Sequence, residues 1–97
     1  MNREEFVFTI GYQGGTAIVD SHALRRYKQY STEQLLEEGL FKAAFCSALW
    51  DDNKAEQQLI LDRYNEKSEQ QYTSIEDLKR VFGVFEVTSG NLAVNIL

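Results

Sequence analysis

Near the start of the chain, Phe6, Phe8, Ile10 and Tyr12 alternate with Val7, Thr9 and Gly11. A period of two predicts a strand, because successive side chains of extended backbone point to opposite faces. Gly14-Gly15 then supplies a two-residue turn, and TAIV, Thr16–Val19, reads as the returning strand of a hairpin. With those glycines as the loop, Tyr12 faces Ala17 and Ile10 faces Val19, while Gly11 faces Ile18 and Thr9 faces Asp20. A phosphate cradle at the glycines would need a helix start next, and a strand follows instead.

The spacing changes after Tyr30. Ser31 or Thr32 caps a short helix with Leu35 and Leu36 inward; Gly39 either ends it at Glu38 or sits where another backbone approaches a continuous helix, and the preference of Gly for helix ends favours the break. Leu40–Trp50, LFKAAFCSALW, then holds a single charge, Lys42. Phe41, Phe45 and Leu49 form one stripe and Leu40, Ala44 and Ala48 the stripe beside it. That is the pattern of a buried helix on which the other elements pack. Asn53 with Glu56 forms a capping box for a helix over 54–66, read with Ala55, Leu59, Ile60 and Tyr64 inward. Thr73 with Glu76 opens another, with Ile75, Leu78 and Phe82 on one face and Gly83 as its C-terminal cap.

Two stretches complete the pattern. DSHALRRYKQY, residues 20–30, fits either a short helix capped by Asp20 or Ser21, with Leu24 and Tyr27 inward, or a loop crossing the sheet. At the other end, Gly90-Asn91 as a turn pairs Val87 with Val94 and Phe85 with Ile96, placing the apolar residues on one face. The expected fold is therefore α+β in the order ββ-ααα-ββ. N-terminal and C-terminal β-hairpins form one antiparallel sheet packed against about three central helices. Residues 1–97 form a single globular domain, the size at which one core is the rule.

Composition narrows the setting. The 97 residues include six Phe, five Tyr and one Trp, enough large apolar surface for a core without staples. One cysteine, Cys46, cannot form an intramolecular disulfide and fits a reducing compartment. The start, MNREEFVF, carries acids where a secretion signal would be basic and then apolar, and no apolar run is long enough for a membrane span. A cytoplasmic protein without membrane contact is expected. Net charge is −5, with residues 1–30 at +1 and residues 31–97 at −6. An acidic body argues against nucleic acid as a partner, since nonspecific binding depends on Lys and Arg neutralising phosphates.

The residues able to carry chemistry are few. A thiolate nucleophile needs a base, and Cys46 and His22 are the available pair. Cys46 lies in the least polar helix, where a thiol is inert. One His and one Cys make no standard zinc site. The consecutive Asp51, Asp52 and Asn53 lack the alternating ligands of a calcium loop. No metal or cofactor is expected. Trp50 reads as core rather than as a partner anchor.

For binding, Arg25, Arg26, Tyr27, Lys28 and Tyr30 form a basic and aromatic cluster. Asp51, Asp52, Asp62 and Glu66 form an acidic set. The TIGYQGG and GLFKAAFCSALW stretches attach to no known family motif. The leading reading is a small non-catalytic protein-interaction or regulatory module, not an enzyme. Its partner would be another protein, or a second copy through an edge strand. Two other readings stay open: an acidic inhibitor or immunity-type protein masking a basic enzyme, and a small-ligand-binding domain or enzyme subunit. The last would need a concave apolar pocket beside His22, Tyr27 and Tyr30.

Overall fold

The computed structural model describes residues 1–84 and 93–97. Its first element is a helix, α1 (Arg3–Val7), where the alternation predicts strand. A capping box explains the difference. The Asn2 side chain accepts from the Glu5 amide, and Glu5 Oε1 accepts from the Asn2 amide, both at 2.9 Å. Once the helix is set, the adjacent Phe6 and Val7 both turn into the core, which a strand would not allow.

The hairpin follows as β1 (Thr9–Gln13) and β2 (Thr16–Val19). Tyr12 faces Ala17 and Gly11 faces Ile18, in the expected register. Beyond Gly11 the register shifts: Thr9 pairs with Val19, and Ile10 is the extra residue of a bulge. Ile10 is therefore 55% exposed instead of lying with Val19 on the core. Gly14 takes the left-handed turn position at φ +62°.

The expected antiparallel ββ-ααα-ββ arrangement does not hold. A third strand, β3 (Ala93–Ile96), joins the sheet parallel to β2, in the order β1-β2-β3. The sheet is thus mixed, and six helices are present among the described residues. A parallel neighbour needs a crossover rather than a tight turn, and the helices between β2 and β3 supply it. The expected strand and turn upstream of β3, and the Val87–Val94 and Phe85–Ile96 pairs, lie outside the described residues.

Between the strands run α2 (Ser21–Tyr27), α3 (Thr32–Glu37), α4 (Phe41–Trp50), α5 (Lys54–Ser68) and α6 (Ile75–Phe82). Residues 20–30 take the helical option, with the Asp20 carboxylate accepting from the amides of His22 and Ala23. Ser31 caps α3, and Gly39, at φ +77°, separates α3 from α4. Asn53 caps α5 as expected. That helix is rotated from the expected face: Gln57, Ile60 and Leu61 are buried, while Ala55 and Leu59 are exposed. The buried Gln57 amide donates to the Ala48 carbonyl at 3.3 Å, so a polar residue occupies a core position. Ser74, not Thr73, caps α6, and Gly83 ends it at φ +64°.

All of this assembles on α4. Ala43 to Ala48 are buried without interruption. Phe45 meets Phe82 at 5.8 Å between ring centroids, and Trp50, half-buried, meets Phe6 at 5.8 Å. One polar node sits inside this packing. Arg3 Nη2 donates to Ser47 Oγ (2.8 Å) and to the Tyr30 carbonyl (2.7 Å), and Ser47 Oγ shares a hydrogen bond with Thr32 Oγ1 at 2.7 Å. A single guanidinium thereby ties α1, the loop before α3, and α4 together.

Candidate functional site

The structure separates the residues able to act from those used in folding. Cys46 is only 2% exposed. Burial pushes its thiol up to about 12, against a smaller lowering by the Lys42 ammonium, so it remains protonated and unreactive at neutral pH. Tyr12, beside it, is also raised, first by burial and then by Cys46. His22 is exposed at the start of α2. Among the described residues, no cluster of three or more His, Cys, Asp or Glu is placed to hold a metal ion. No helix among them is long and apolar enough to cross a membrane.

The basic and aromatic cluster divides in two. Arg25, Arg26 and Lys28 are exposed, with the Arg26 guanidinium 5.5 Å from the centre of the Tyr27 ring. The rings themselves turn inward. Tyr27 stacks on Phe8 at 6.4 Å and meets Tyr30 edge-on at 5.3 Å, so both are part of the packing rather than free platforms for bases.

The acidic set is also dispersed. Asp51 and Asp52 stand at the turn between α4 and α5, where Asp52 pairs with Lys54 at 3.2 Å. Asp62 accepts from Gln58 one turn earlier on α5. Glu66 lies nearer the other end of α5, about 18 Å along the helix from Lys54 at 1.5 Å per residue. Asp62 and Glu66, four residues apart on α5, lie on one face of it, while Asp51 and Asp52 belong to the turn before that helix.

A different acidic surface does form, between α3 and α5. Leu36 and Leu59 supply its apolar part, and Glu33, Glu37 and Glu56 surround them. The concavity has a volume of about 370 Å³. Leu36 and Arg63 also line a neighbouring hollow of about 460 Å³ with Phe41, Glu66 and Lys67. The two therefore make one groove along α5. From Glu56 to Lys67 it runs about 17 Å, or three helical turns. Glu33, Glu37 and Glu56 stand at one end, Lys67 and Glu66 at the other, and Arg63 lines both hollows. Leu59 is 43% exposed within it. Among the described residues, Glu33, Glu37 and Glu66 take part in no ion pair.

A second concavity of about 280 Å³ lies between α2, β1 and the start of α4. Its wall is mostly apolar, from Val7, Phe8, Ile10, Ala23, Leu40 and Phe41, with Tyr27 at one side. Of the three residues expected beside such a pocket, Tyr27 lines it and His22 and Tyr30 do not.

Sequence reasoning missed the α3–α5 groove because it assigned Leu59 to the core. The apolar residues of α5 allow two adjacent stripes, and only the buried Gln57 distinguishes them. Lys42 on the second concavity did carry a signal, as the lone charge in the most apolar stretch of the chain. Comparison with models of known protein families, with curated proteins and with solved structures returns no match for this chain.

Proposed function

We propose that the protein is a non-catalytic interaction module that receives a basic, amphipathic segment of a protein partner in the groove between α3 and α5. The observation that carries this reading is Leu59, a large apolar side chain left 43% exposed beside Leu36, with Glu33, Glu37 and Glu56 around it against the single cation Arg63. Covering the part of Leu59 still exposed contributes roughly 1 kcal/mol, under half the value for burying a whole leucine, and favours an apolar residue of the partner at that point. The glutamates add attraction for Lys or Arg around it, acting mostly on association rate and specificity. A basic enzyme masked through such a segment is one form the partner could take.

The test is a titration with two synthetic helical peptides of about three turns, each with leucines on one face. One carries lysines on the other face and the second carries glutamates. The lysine peptide is expected to bind saturably, to weaken steeply with added salt, and to lose affinity with Leu59→Ala or Glu37→Gln. Equal binding of both peptides, or binding insensitive to salt, would count against the proposal.

A further inference from the structure

We propose that the cleft between α2, β1 and α4 binds a medium-chain carboxylate, with the apolar tail in the cleft and the carboxylate on Lys42. The first ground is shape and lining. About 280 Å³ of mostly apolar concavity lies just below the range of roughly 300–1,000 Å³ usual for drug-sized ligands. The bulge at Ile10 keeps one wall apolar and accessible, since Ile10 is 55% exposed.

The second ground is charge. Lys42 is the one cation on the cleft wall. It is half-buried, and among the described residues it has no hydrogen-bond or ion-pair partner. The other charged residue there, Asp20, is committed to its own helix, its Oδ1 accepting from the His22 and Ala23 amides at 3.0 and 3.1 Å. Thr9, also on the wall, donates its hydroxyl to the Glu5 carbonyl at 2.6 Å. Lys42 is thus the charged group on the wall without a hydrogen-bond or ion-pair partner among the described residues, and an ammonium favours a negative ligand. The first turn of α4, on the same wall, has no side-chain cap and adds positive potential. A single cation against an apolar wall fits an amphiphile with one negative charge better than a multiply charged polar ligand.

The experiment compares decanoate and decyltrimethylammonium below their micelle concentrations with decanol below its solubility limit. Binding is followed by amide chemical shifts of Ile10, Ala23 and Ala43 and by the melting temperature. Decanoate is expected to bind saturably and roughly tenfold more tightly than decanol, the size of a modest charge-assisted contact. Lys42→Gln should remove that difference while leaving the ligand-free circular dichroism unchanged. Ala23→Leu, which adds bulk to the wall and keeps Lys42, should weaken decanoate and decanol alike. Absence of saturable binding, equal affinity for decanoate and decanol, or preference for the ammonium amphiphile would overturn the proposal. Shifts that map to the α3–α5 groove instead of the cleft would overturn it as well.

Discussion

Ser47→Ala removes one oxygen from the middle of α4 and is expected to loosen three elements at once. Ser47 is fully buried, and Thr32, its hydroxyl partner at 2.7 Å, is 5% exposed. Without Ser47 Oγ, the Thr32 hydroxyl loses its hydrogen bond inside the protein, a cost of about 1–3 kcal/mol. Arg3 loses one partner at 2.8 Å but keeps the Tyr30 carbonyl at 2.7 Å and Glu4 at 3.1 Å. Being half-buried, it contributes a further loss of about 1 kcal/mol. Alanine returns roughly 0.5 kcal/mol as the better helix former. The net destabilisation is about 1.5–3.5 kcal/mol, or roughly 6–28 °C in melting temperature for a domain of this size. Urea unfolding followed by Trp50 fluorescence and by far-ultraviolet circular dichroism measures it, with an unchanged m value showing that compactness is preserved. Thr32→Val supplies the partner, and the double variant should cost clearly less than the sum of the two single ones. A loss below about 0.5 kcal/mol for Ser47→Ala, or strict additivity of the pair, would refute the claim that the node acts as a unit.

The remaining expectations follow from burial, charge and backbone. Cys46 should resist alkylation in the native protein near neutral pH and react once urea unfolds the chain, as thiol labelling with and without denaturant will show. The folded thiol stays protonated while the unfolded one ionises near pH 8.5, so stability should also fall as pH rises above about 9; Cys46→Ala should flatten that part of the profile. At Asp77, burial acts to raise the pKa, but hydrogen bonds from Thr73, Arg80 and Ser74 outweigh it and hold the carboxyl below its usual range. A depressed carboxylate contributes stability above the unfolded value of about 3.9 and loses it as pH falls through the lower folded value. Acid titration of the α6 amides should therefore show the capping turn loosening in that window, and Asp77→Asn should remove the dependence. Gly39→Ala, at φ +77°, should cost about 1–2 kcal/mol in urea unfolding, and Gly39→Asn less.

The parts of the fold legible in the sequence were those fixed by short-range chemistry. Asp20, Ser31, Gly39, Asn53 and Gly83 mark helix ends through their own side chains or backbone freedom. The burial of α4 was legible because its composition admits no other environment. The first turns went the other way: Phe6 and Phe8 alternate over too short a run to outweigh the Asn2–Glu5 capping box. The parallel placement of β3 depends on long-range pairing, for which local pattern holds no signal. The candidate grooves were least legible. The bulge at Ile10 and the rotation of α5 bring Ile10, Ala55 and Leu59 to the surface instead of the core, and both depend on tertiary packing.

An amide chemical-shift titration with the lysine-bearing amphipathic peptide tests the central claim most directly. The account expects saturable shifts concentrated at Glu33, Leu36, Glu37, Leu59 and Arg63, shrinking together as salt is added. Shifts spread evenly over the acidic surface, including Asp51, Asp52 and Asp62, or centred on Arg25, Arg26 and Lys28, would contradict it.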